Sequence, residues 1–118
     1  MAVGLNIQEQ EINGVKVLRL EGRLDAVSST ALEKKMQDLL QHHRGGVLLD
    51  FTKIEYLSSA GMRLLLSMTK KFKQQGHMMG LFAIHEDVME IIKMAGFEKI
   101  LHIFSMEKEA VAASSKKS

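Results

Sequence analysis

Apolar and polar positions change period several times along the chain, and each change predicts an element. Residues 5–12 alternate weakly, Asn13-Gly14 supplies the two-residue turn that hairpins prefer, and residues 15–21 are rich in branched side chains, so an antiparallel hairpin is expected. Apolar parity switches between Val17 and Leu18, which predicts a strand covered on both faces or carrying a bulge, interior to its sheet. Gly22-Arg23-Leu24-Asp25 reads as a loop. A helix then spans residues 28–43, with Leu32, Met36, Leu39 and Leu40 on one face, Thr30 and Glu33 at capping-box spacing, Ser28 and Ser29 competing for the cap, and Gly45-Gly46 at its end.

The next stretch organises the rest. Residues 47–51 are nearly all apolar after two glycines, as in a strand buried on both faces of a parallel sheet. A loop follows, and then Met62, Leu65, Leu66, Thr69 and Phe72 recur with a helical period, opposite Arg63, Ser67, Lys70, Lys71, Lys73 and Gln74. Ser58 and Ser59 fall where this second helix begins. One of them is expected to cap it, accepting a free backbone N–H of the first turn. A hydroxyl exposed at a helix start is also a favourable place for a phosphate, because the dipole and the N–H groups there favour negative charge.

Residues 78–84 predict another strand. Val88, Ile91, Ile92 and Ala95 predict a third helix ending at Gly96, and residues 101–104 a short last strand. Ser105 is expected to cap a final helix reaching Ala113, followed by a disordered polar tail over 114–118. The order β β α β α β α β α implies an α/β fold in one domain over residues 1–113: a mixed, mostly parallel sheet of about five strands with about four helices. In such sheets functional groups gather beyond the carboxyl ends of the strands, which should bring together Asp25, Ser58, Ser59 and His85-Glu86.

Composition narrows the chemistry. In 118 residues there is no cysteine, tryptophan or proline and only one tyrosine, so disulfides, thiolate chemistry, thiolate metal sites and base-stacking platforms drop out. A net charge of +2 with dispersed lysines argues against nucleic acid as a partner. No apolar run is long enough to insert in a membrane and the start lacks a signal-peptide pattern, so a cytoplasmic protein is expected. Phosphate-loop, dinucleotide, hydrolase-elbow and zinc-protease motifs are all missing, and Asp25, Ser59 and His85 form a triad only on paper. No enzyme, no cofactor and no metal site are expected. The nine methionines read as adaptable core filling.

Gly22-Arg23-Leu24-Asp25 with Thr30 downstream, Val47-Leu48-Leu49-Asp50-Phe51, and Tyr56-Leu57-Ser58-Ser59-Ala60-Gly61-Met62 together resemble the STAS domain of bacterial anti-sigma-factor antagonists, over nearly everything from Leu5 to Ala113. The resemblance implies partner switching. The unphosphorylated antagonist would bind an anti-sigma factor that is also a serine kinase, freeing the sigma factor. Phosphorylation of the antagonist would break the complex, and a metal-dependent serine phosphatase would restore it. Aligned on Gly61, the phospho-acceptor matches Ser59, with Ser58 the alternative because it stands where many members carry Asp; Ala60 replaces a second hydroxyl. The implied partner surface comprises Asp25, Ser58, Ser59, Ala60, Gly61, Met62 and Arg63. Gly61 has two readings, close approach of a partner backbone or tight packing of helix on sheet. The competing function is a constitutive STAS adaptor of a signalling or transport assembly, with no phospho-switch.

Overall fold

The computed structural model describes residues 4–115. The strands are β1 (Leu5–Ile12), β2 (Val15–Leu24), β3 (Val47–Leu57), β4 (Met79–Phe82) and β5 (His102–Phe104); the helices are α1 (Ser29–His42), α2 (Ser59–Gln74), α3 (Glu86–Met94) and α4 (Glu107–Ser114). They form one five-stranded sheet in sequential order β1-β2-β3-β4-β5, with β1 and β2 antiparallel and the other pairs parallel. Three successive crossovers step the same way across the sheet. With right-handed connections this places α1, α2 and α3 on one face.

That face holds the larger core. Leu18, Leu20 and Leu24 of β2 and Leu49, Phe51, Ile54 and Leu57 of β3 meet Leu32 and Met36 of α1, Leu65, Met68 and Phe72 of α2, and Val88 and Ile92 of α3. On the opposite face α4 lays Ala110 and Val111 on Val15, Val17, Leu48 and Phe82. The parity switch at Val17-Leu18 therefore marks a strand buried on both faces. Arg19 ties α4 down: its guanidinium donates to both carboxylate oxygens of Glu107, at 2.6 and 3.1 Å, and to Asp50 of β3 at 3.1 Å. The hairpin turn uses left-handed backbone at Asn13 and Gly14, φ 52° and 80°.

The ends of several elements differ from the expectation. β2 continues through Leu24 and β3 through Leu57, so residues 22–24 and 52–57 are strand, not loop. Two register shifts explain why. From Arg19↔Asp50 to Glu21↔Lys53, and again from Gly22↔Ile54 to Arg23↔Tyr56, β3 advances one residue more than β2. Each extra residue flips the parity of β3, so Phe51, Ile54 and Leu57 are buried at intervals of three. Asp50 supports the first irregularity by accepting from the Thr52 N–H at 2.9 Å.

Residues 83 and 84, counted as strand, lie past the end of β4, and Ala83 adopts φ 58°. In α3 only Val88 and Ile92 are buried; Ile91 is exposed, as is Ala95 just past the helix end, because the helix meets the sheet along a single i, i+4 ridge. The α1 start does not use the Thr30–Glu33 capping box, since the Thr30 hydroxyl donates to Val27 O at 2.7 Å. Ser105 does not cap α4: Met106 holds that position, and the Ser105 hydroxyl donates to Glu109. Of the expected tail, Ser114 is helical and Ser115 ends the helix; residues 116–118 lie outside the described residues.

Candidate functional site

The long, bulged β3 determines what the carboxyl edge of the sheet brings together. Beside it β2 ends at the same level, with Leu24 paired to Leu57, and the Ser58 N–H donates to Leu24 O at 2.9 Å. The loop carrying Asp25 and the turn carrying Ser58 and Ser59 are thereby locked side by side. β4 stops much earlier, its last residue Phe82 pairing with Asp50. The His85 side chain reaches Thr52 instead, its Nε2–H donating to the Thr52 carbonyl at 2.6 Å. Thr52 precedes Ser58 by six residues, roughly 15–20 Å along a strand. The expected convergence therefore holds for Asp25 with the two serines and fails for His85-Glu86.

At the start of α2 the serines divide the work. Ser58 has extended backbone, and its Oγ accepts the Gly61 N–H at 3.1 Å, so Ser58 is the N-cap. Ser59 is the first helical residue and is exposed, and its hydroxyl makes no hydrogen bond among the described residues. No acidic residue occupies the first turn. The positive end of the helix is left without the carboxylate that usually complements it.

Gly61 and Met62 were expected on the partner surface, and both are buried. A Cβ on Gly61 would stand 2.8 Å from Leu24 O and 2.9 Å from both Leu24 Cγ and Leu57 Cδ1, so hydrogen is what lets α2 sit against the ends of β2 and β3. Met62 is 4% exposed and belongs to the core. Ser59 and Arg63 are exposed, and Ser58, Ala60 and Asp25 are half-buried.

Asp25 is occupied by its own loop. One carboxylate oxygen accepts from Ser28 N at 2.9 Å and Val27 N at 3.1 Å, while Ser28 Oγ accepts from Asp25 N and donates to Arg23 O. The Ser28 N–H foremost, then the Ser28 hydroxyl, the Val27 N–H and the Arg23 charge, hold the Asp25 carboxyl below the usual carboxylate range. Within this brace Val27 is left 82% exposed. Val27 was not singled out from sequence; the signal was a branched apolar side chain in the otherwise small or polar run of residues 25–30. Nearby, the Arg23 guanidinium stacks 4.3 Å above the Tyr56 ring.

A shallow cleft of about 870 Å³ lies close by, lined by Glu21, Arg23, Lys53, Glu55 and His85 among others, and neither serine borders it. Among the described residues no three His, Asp or Glu side chains are grouped to hold a metal ion, and no helix is long and apolar enough to cross a membrane.

At one edge of the mixed sheet the structure thus sets an exposed hydroxyl at a helix start beside a braced loop. The STAS domain family profile matches residues 6–110, and the chain belongs to that family. It is 26% identical to an anti-sigma F factor antagonist of Paenibacillus polymyxa over 110 residues, covering 92% of this chain and 94% of the relative. Its fold is similar to that of an anti-sigma factor antagonist from Mycobacterium paratuberculosis (TM-score 0.85, 19% identity, 96% of each chain). It is also similar to the Bacillus cell fate determinant SpoIIAA in its phosphorylated form (TM-score 0.70, 17% identity, 92% of this chain and 98% of that one).

Proposed function

We propose that this protein is an anti-sigma-factor antagonist that works by partner switching, a binding module and not an enzyme. Its unphosphorylated form binds an anti-sigma factor with serine-kinase activity and so frees the sigma factor; phosphorylation of Ser59 releases the kinase, and a metal-dependent serine phosphatase resets the cycle. The observation that carries this reading is the division of labour at the α2 start: Ser58 caps the helix, and Ser59 keeps an exposed hydroxyl. The relative named as an anti-sigma F factor antagonist and the similar fold of a phosphorylated SpoIIAA support it.

The energetics suit a switch. Phosphoserine adds about −1.5 to −2 charge at pH 7. On its own helix N-terminus that charge is tolerated, so the fold is kept. In a partner's interface the same charge must be desolvated, at a cost of several kcal/mol, roughly a thousandfold in affinity. Partners recovered on immobilised wild type, Ser59→Ala and Ser59→Asp provide the test. Wild type and Ser59→Ala should retain the anti-sigma kinase and Ser59→Asp should lose it, with unchanged far-UV circular dichroism. Equal recovery by all three would replace the switch with a constitutive STAS adaptor.

A further inference from the structure

The exposed side of α2 carries one sign of charge. The helix contains Arg63, Lys70, Lys71 and Lys73 and no Asp or Glu. At about 100° per residue, Arg63, Lys70 and Lys73 all fall within about 40° of Ser59 around the helix axis. All four cations are exposed, and none forms an ion pair among the described residues. Pairing is spent elsewhere, with Lys16 and Lys35 on Glu9 and Arg19 on Asp50 and Glu107. Arg63 is the cation next to Ser59, one turn on and about 6 Å further along the axis. It sits near the positive end of the helix, where a cation is unfavourable and where no first-turn acid offsets it.

We propose that Arg63 is the in-chain receptor of the phosphate on Ser59. This inference rests on Ser59 being the phosphorylated residue. An anion at i with a cation at i+4 is the favourable helical orientation, and a guanidinium matches phosphate oxygens in pairs. The other charges facing the site leave that role to Arg63. Arg23 stacks on the Tyr56 ring and its charge already faces Asp25, Asp25 is an anion held by its own loop, and Lys70 lies about 10 Å beyond Arg63 along the helix. Phosphorylation then acts twice on the partner surface, adding negative charge at Ser59 and withdrawing the cation one turn further along the helix.

The test is a ³¹P NMR titration of the full chain carrying phosphoserine installed at position 59 by genetic-code expansion, compared with the same protein bearing Arg63→Gln or Lys70→Gln. The second phosphate ionisation should lie lower with Arg63 present than in Arg63→Gln by about half a pH unit or more, while Lys70→Gln should stay close to the unsubstituted chain. Identical titrations with and without Arg63, or an equal effect of Lys70→Gln, would overturn the assignment. Because the phosphoserine is installed, failure here is distinct from failure of the Ser59 reading, which is judged by the phosphate that cells themselves place. Unchanged circular dichroism confirms that each variant is folded.

Discussion

Ser58 and Ser59 are neighbours with the same side chain, and their different positions at one helix start give them different work. The Ser58 hydroxyl satisfies the Gly61 N–H, whereas the Ser59 hydroxyl bonds to nothing among the described residues. Ser58→Ala should therefore lower unfolding stability by about 1 kcal/mol, the usual value of an N-cap. Ser59→Ala, an exposed substitution, should change it by less than about 0.5 kcal/mol. Urea titration of the two variants reads the difference directly, and the reverse ranking would mean that the cap had been assigned to the wrong serine. From the sequence a cap at one of the two was legible, but which one was not, because either hydroxyl could take the position. The same limit applied to Gly61. Its spacing allowed a partner contact or close packing, and only the distances to Leu24 and Leu57 decide for packing.

At the scale of elements, the regular parts were legible and the irregular ones were not. The α1 core face, Leu32, Met36, Leu39 and Leu40, keeps its helical period and is buried as expected. The second half of β3 looked like a loop because two bulges turn the alternation of a strand into burial at every third residue. No single-period reading can recover that stretch. α3 forms where its helical period placed it, and of its apolar residues only the ridge of Val88 and Ile92 is buried. The small helix α4 has a narrow apolar face of Ala110 and Val111, and the Arg19 bridge to Glu107 joins its first turn to the sheet. Partners 88 residues apart cannot be paired from spacing. Removing the guanidinium with Arg19→Ala should cost about 1 kcal/mol, since the bridge is partly open to solvent. It should also raise amide hydrogen exchange in α4 before α1 or α2; uniform protection across all helices would show that Ala110 and Val111 hold the helix unaided.

For the whole molecule, element order was enough to give the mixed sheet, its hairpin and its parallel remainder, because sequential right-handed crossovers leave little topological choice. The order did not give the lengths of the strands past one another. Since β3 outruns β4, the carboxyl edge divides into the neighbourhood of Ser58, Ser59 and Asp25 and a separate one where His85 meets Thr52. That division removes the paper triad and leaves a braced loop and a helix start side by side, the surface proposed to meet the partner. The surface adjoins a fully buried core of β2, β3 and α2, so a charge placed at Ser59 should alter what binds without altering the fold.

The most direct measurement is phosphosite mapping by mass spectrometry on the chain recovered from its own cells under several growth conditions, with Ser59→Ala and Ser58→Ala alongside. Phosphate on Ser59 that varies with condition, persists in Ser58→Ala and disappears in Ser59→Ala is the expected result. Phosphate on Ser58 alone, or none on either serine under any condition while protein partners are still recovered, would contradict the switch.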